Sequence, residues 1–390
     1  MTQRSKRNFR YPQLDGLRGI AILMVVEYHY RLLSSLLDWA SGRLSDYVGP
    51  LLTLGWTGVD LFFVLSGFLI GGILLDNKQA SNYFGVFYTR RVCRIFPLYF
   101  LVAILFLLVI PVPRGYVLGM LDHEPLPLWT YFTYTQNIAM AQEGSYGYAW
   151  LTPTWSLAVE EQFYLILPFL IAFVPRSRLP YLLVSLFLLA LPSRLTLLAF
   201  YPHPAFAVAY LLPSRGGESL FLGVLCTLAV RNDSCRAFLR AHVKTLYGTI
   251  AVLVTGVLIL GPYSFRSGTP ATYFPSSYGL TLIALLYTCV LLAAVTEKRG
   301  LISLLTRNQL LGKVGVISYG IYLLHLPVQG LLFWFLPGAE PTGSKVHFLI
   351  TLVALLLTVA LASVSWVYFE KRIVDWGHSF KYKASMRRSS

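Results

Sequence analysis

Apolar stretches long enough to enter a bilayer recur along the chain, at roughly 17–37, 51–75, 95–111, 157–174, 180–200, 205–230, 246–261, 278–296, 312–335 and 347–369. In hydrocarbon every backbone N–H and C=O must find its partner within the chain. At 1.5 Å rise per residue, about 20 residues match a core roughly 30 Å thick, so these stretches are expected to be helices. The expectation is an all-α, polytopic membrane protein with about ten transmembrane helices enclosing a central cavity. Composition agrees: with 56% hydrophobic and only 13% charged residues, an ordinary soluble globule is excluded. The stretch at 205–230 is interrupted by Pro213, Gly216 and Gly217.

The net charge of +15 raises the question of nucleic acid, but the placement of the charge argues against it. With the N-terminus in the cytoplasm, the basic clusters fall on the inner side: residues 1–10, then Lys78, Arg90, Arg91 and Arg94, then Arg231, Arg236, Arg240 and Lys244, and finally the tail. This follows the positive-inside rule, so both termini are expected to be cytoplasmic, with an even number of spans and no nucleic-acid partner. Three parts are expected: a basic N-terminus at 1–10, a membrane unit at 11–372 and a basic tail at 373–390. Cys93 and Cys235 fall in inner loops and Cys226 and Cys289 in spans, which gives no disulfide framework, and no His/Cys cluster suggests a metal.

Ionisable residues inside apolar stretches are costly and mark interior sites. Arg18 and His29 lie in the first stretch, eleven residues apart. On a helix that is about 16 Å and close to three turns, so both point to one face and could line one cavity. The alternative is that Arg18 snorkels to the inner surface and His29 is a hydrogen-bonded core residue. Asp60, in the second stretch, needs a partner, and Arg18 and His29 are the candidates. Gly58, Ser66, Gly67, Gly71 and Gly72 around it read as close helix packing. Arg90, Arg91 and Arg94 crowd a helix start at the inner surface, where guanidinium forks suit phosphate, whether of a cosubstrate or of anionic lipid.

The outer segment at about 112–155 is rich in Pro, Tyr and Trp and carries Asp122, His123 and Glu124. It reads as a binding loop suited to a sugar, or as an interfacial aromatic belt. It ends in Thr154 or Ser156 as a helix cap, followed by Glu160 and Glu161. Two acids entering a span are expensive, so a carboxylate here could orient an imidazole or an acceptor hydroxyl. Ser214 to Glu218 form a polar bend, and His325, ahead of Pro327, sits near mid-membrane as either a kink-lining core histidine or a site residue.

Five stretches, Leu14–Ala21 with His29, Gly58–Phe68, Tyr88–Pro97, Trp155–Tyr164 and Ser318–His325, together resemble the integral-membrane acyltransferase family 3, the acyl-CoA-dependent O-acyltransferases of bacterial envelope sugars and some antibiotics. The resemblance spans residues 12–370. It implies a ten-helix core in the bacterial inner (plasma) membrane, an acyl-CoA donor from the cytoplasm, and His29 with Arg18 as the essential pair. Many relatives carry Arg-x-Asp at the sixth helix, where this chain has Arg215-Gly216-Gly217-Glu218. Some carry a fused extracytoplasmic esterase-like domain that this chain lacks, so it is expected to finish the transfer itself or to use a separate protein.

The reading is an O-acetyltransferase moving acetyl from acetyl-CoA to a hydroxyl of an envelope saccharide or lipid-linked sugar at the outer face. Arg90, Arg91 and Arg94 would hold the donor phosphates. His29 would act as base or transient acyl carrier, with Glu160 orienting it or the acceptor. Asp60, Ser66, Trp155, Glu161 and His325 would line the acceptor site. The alternatives are acylation of a small glycosylated metabolite such as a macrolide, or transport of a sugar or lipid, in which Arg18, His29, Asp60 and Glu160 bind cargo.

Overall fold

The computed structural model describes residues 11–40, 48–49, 51–106, 125–212, 214–266, 278–297, 299–336 and 345–384. The basic residues 1–10, Asp122, His123, Glu124, Pro213 and the tail from 385 lie outside the described residues. Among the described residues the chain is helical, with no strand and one isolated bridge between Ala80 and Ala384. The site is built by α1 (Pro12–Tyr30), α2 (Gly58–Asn77), α3 (Tyr83–Ile104), α4 (Trp155–Phe173), α5 (Gly217–Arg231), α6 (Leu280–Thr296), α7 (Gln309–Val316), α8 (Ser318–Phe335), α9 (Lys345–Ser365) and α10 (Lys371–Ser379).

The described parts of the apolar stretches are mostly helical, and among the described residues fewer than ten helices are both long and apolar enough to cross a membrane. Among the described residues five qualify, Thr53–Asn77, Ala149–Phe173, Leu179–Phe200, Val243–Leu260 and Lys345–Ser379, or six if the pair α7 and α8, bent by 70°, is one span. The remaining helices do not meet both conditions within the described residues. Helix α1 contains Asp15, Arg18 and Glu27, α3 contains three arginines, and α6 has 17 residues. Large apolar side chains such as Val252, Leu356 and Phe173 point outward, as lipid contact requires of a multi-pass protein.

The first apolar stretch is broken. Arg31 adopts a left-handed conformation (φ 52°) and ends α1, and the next helix begins at Leu32. Glu27 reaches forward to accept hydrogen bonds from the backbone N–H of Leu33 (3.0 Å) and Ser34 (3.1 Å) and from the Ser34 hydroxyl. A carboxylate on the first N–H groups of a helix satisfies donors and complements the dipole, which explains this acid.

Two glycine contacts set the spacing of the interior. A Cβ on Gly67 of α2 would lie 2.0 Å from the Leu220 carbonyl oxygen of α5, and one on Gly223 of α5 2.2 Å from that of Val64, so these helices meet backbone to backbone. A Cβ on Gly16 of α1 would lie 1.8 Å from the Thr306 oxygen, and one on Gly315 of α7 1.8 Å from the Asp15 oxygen. The reading of Gly67 as a close-packing residue holds, whereas Ser66 turns its hydroxyl to Glu160 instead.

Candidate active site

A cavity of about 120 Å³ opens between α1, α2, α3, α4 and α8. Arg18, Arg91 and Arg94 line it with Ser66, Glu160, Tyr164 and Tyr322. Helix α3 delivers Arg91 and Arg94 three residues apart, on neighbouring positions of one face. Arg18 is held loosely by Asp15, one turn away at 3.5 Å. Arg94 lies 3.8 Å from Glu370 and over the rings of Trp366 (5.0 Å) and Tyr319 (5.6 Å). Arg91 makes no hydrogen bond or ion pair among the described residues. Glu160 accepts hydrogen bonds from the hydroxyls of Ser66 and Tyr164, so one fixed carboxylate faces three guanidinium groups and the cavity is cationic.

The fourth helix starts differently from the expectation. Neither Thr154 nor Ser156 caps it, because each hydroxyl donates backwards, Thr154 to the Leu151 carbonyl (2.6 Å) and Ser156 to that of Pro153 (3.1 Å). Ser156 is also 2.6 Å from the Tyr322 hydroxyl, which ties α4 to α8 beside the cavity.

At the other end of α1, His29 meets His325. His325 Nε2 lies 3.3 Å from His29 Nδ1, with ring centroids 4.9 Å apart. His29 is half-buried, whereas His325 is completely enclosed. Helix α1 is continuous from Arg18 to His29, so the offset of about 16 Å along its axis holds. Tyr322 joins the two ends: its ring lines the cavity and its carbonyl lies 2.7 Å from His325 Nδ1.

Several expected site residues sit elsewhere. Asp60 pairs with neither Arg18 nor His29. Arg215 Nη2 donates to its carboxylate at 2.9 Å, with both groups buried. The Arg215 guanidinium lies between Trp56 (4.9 Å) and Trp155 (5.4 Å), so Trp155 packs on a cation rather than lining the cavity. Arg90 is turned away from the cavity, because its guanidinium donates to the Phe380 carbonyl (2.6 Å from Nη2) and stacks on Tyr382. Glu160 is fixed by Ser66 and Tyr164 rather than placed on His29, whose ring partner is His325. His325 is fully enclosed and does not line the cavity, and Glu161 is also outside it with one buried oxygen unpartnered.

Sequence reasoning missed Arg194. This residue, in the helix Ala190–Phe200, is fully buried and donates to both oxygens of Glu218 (2.9 and 3.0 Å) and to Thr281 (2.7 Å). The available signal was a lone cation inside the apolar stretch 180–200, which demands an acid on another helix. The polar bend that supplies it turns at Gly216, whose left-handed backbone (φ 82°) leaves no room for a Cβ beside Phe63 (2.8 Å).

The fold and site define a class: a multi-pass helical membrane protein whose interior holds a cationic cavity and, beyond it, paired imidazoles. The family described as an acyltransferase domain matches residues 11–368, and the chain belongs to it. Among curated relatives, peptidoglycan O-acetyltransferase OatA of Listeria monocytogenes is 29% identical over 387 residues, covering 94% of this chain and 57% of the relative. The Bacillus subtilis protein named "Putative peptidoglycan O-acetyltransferase YrhL" is 29% identical over 397 residues, covering 98% of this chain and 58% of the relative. This chain thus spans less than three-fifths of the length of these relatives. No solved structure matches the chain.

Proposed function

We propose that the protein transfers an acetyl group from acetyl-CoA to a saccharide hydroxyl of the cell envelope, with peptidoglycan as the acceptor that the relatives' names favour. The observation that carries this reading is the division of labour along α1, with a cationic cavity around Arg18 and a half-buried imidazole about 16 Å away. In the proposed orientation both termini are cytoplasmic. The donor phosphates then engage Arg18, Arg91 and Arg94, as forked donors suit phosphate oxygens. The thioester extends towards His29, and the acceptor arrives from the outer side.

In this reading His29 Nε2 takes the proton of the acceptor hydroxyl as its oxygen attacks the thioester carbonyl. The carbon–sulfur bond then breaks, and the departing thiolate takes the proton from the imidazole. Donor and acceptor never share a compartment, and the protein interior is where they meet. Glu160 gives the cavity one acceptor among its cations and limits its positive charge.

The test is transfer of radiolabelled acetyl from acetyl-CoA to a soluble peptidoglycan fragment by the protein in proteoliposomes. Wild type is expected to transfer label and His29→Ala to lose it by at least about 100-fold, in line with the usual worth of a general base. A monodisperse His29→Ala variant with wild-type activity overturns the role of His29. A wild type that takes no label from acetyl-CoA overturns the donor.

A further inference from the structure

His325 is shut off from both the cavity and the surface, yet one of its ring nitrogens rests against His29. The surrounding groups leave a single assignment for both neutral rings. His325 Nδ1 is 2.7 Å from the Tyr322 carbonyl, which only accepts, so this nitrogen carries the proton and Nε2 presents a lone pair. His29 Nδ1 faces that lone pair at 3.3 Å and the Val25 carbonyl at 2.9 Å, and both accept. His29 Nδ1 therefore carries a proton too, which leaves the lone pair of His29 on Nε2.

We propose that His325 is the positioning residue for His29, a neutral imidazole holding the place that a carboxylate takes in many base–orienter pairs. The inference rests on the reading of His29 as the reacting base. When Nε2 takes the acceptor proton, the His29 ring carries a proton on each nitrogen, and its Nδ1–H, shared between the Val25 carbonyl at 2.9 Å and the Nε2 lone pair of His325 at 3.3 Å, donates more strongly to both. His325 keeps its own proton on Nδ1, held by the Tyr322 carbonyl. Once the thiolate has taken the proton from His29 Nε2, the ring is neutral again in the same tautomer, and His325 has gained and lost nothing. A neutral orienter suits this place, because a carboxylate buried here would itself need a counter-charge.

The backbone around His325 is pinned as a positioning role requires. The Tyr30 hydroxyl, one residue beyond His29, donates to the His325 carbonyl at 2.6 Å and lies 3.0 Å from the Thr358 hydroxyl of α9. Tyr322 both lines the cavity and orients His325 through its carbonyl, so the cavity wall and the tautomer lock share one residue.

The test compares His325→Leu, which offers no acceptor, with His325→Gln, whose amide oxygen can accept from His29 Nδ1–H, in the full chain in proteoliposomes with radiolabelled acetyl-CoA. Losing a partner that orients a functional histidine costs about 10- to 100-fold, so the Leu variant should lose that much kcat. Its KM for acetyl-CoA should stay within about twofold, and the Gln variant should recover most of kcat. A Leu variant with wild-type kcat, or Leu and Gln variants equally impaired, overturns the proposal. If the Leu variant does not fold, His325→Phe, which likewise has no conventional acceptor atom, takes its place under the same criteria. His29→Ala run alongside separates the two readings: wild-type transfer there sinks the role of His29, whereas a His29→Ala reduced at least about 100-fold beside an intact His325→Leu sinks only the positioning role.

Discussion

Replacing Glu218 by Gln removes the counter-charge of the most deeply buried cation described. Arg194 is fully enclosed, and its two Nη nitrogens are shared among Glu218, Thr281 and the Ser214 carbonyl, while Nε has no partner. The amide keeps one oxygen acceptor and loses the other together with the negative charge. One charge-assisted hydrogen bond is worth about 1.5–3 kcal/mol, and breaking a buried pair from one side costs about 3–5 kcal/mol in all. At about 1.4 kcal/mol per tenfold, the ratio of folded to unfolded protein should fall by roughly two to three and a half orders of magnitude. Equilibrium unfolding in mixed micelles, followed by circular dichroism, measures this directly. The double variant Arg194→Met with Glu218→Leu leaves no stranded charge and should be more stable than Glu218→Gln alone. A single variant within about 1 kcal/mol of wild type, or a double variant no better than the single, would refute the argument that this pair is a matched interior unit.

Arg94→Gln should weaken acetyl-CoA binding by about 10- to 100-fold, the worth of one charged hydrogen bond, while Arg90→Gln should leave it nearly unchanged, and equilibrium binding of labelled donor to the purified variants separates the two. Gly67→Leu should yield little monodisperse protein, because even its Cβ would stand 2.0 Å from a backbone oxygen; size-exclusion chromatography after detergent extraction is the check, and normal recovery would count against the close crossing of α2 and α5.

The helical architecture was legible because a bilayer leaves an apolar segment few choices, and the glycines around Gly67 announced a close crossing before its partner was known. That Arg18 and His29 lie on one continuous helix was legible as well, although of the two only Arg18 lines the cavity. The pairings were not. His29 meets a residue 296 positions away, a contact that depends on how α8 bends after α7 and not on any local pattern. Asp60 found Arg215 rather than the nearer charges of α1, because the turn at Gly216 swings that guanidinium between two tryptophans. Arg90 looked identical to Arg91 in sequence. Only the return of residues 380–384 along the start of α3 separates an arginine bound to the chain from one facing the cavity.

The bare backbone contact between α1 and α7 has a mechanical consequence. With Gly19 seated against the Leu311 carbonyl and Gly315 against that of Asp15, the first helix has no slack in which to slide or roll, so Arg18 and His29 behave as two marks on a stiff ruler. A molecule gripped at the first mark must present its reactive atom at a distance set by its own length. Selection among donors would then be a matter of reach, decided where the head is held rather than where the tail ends.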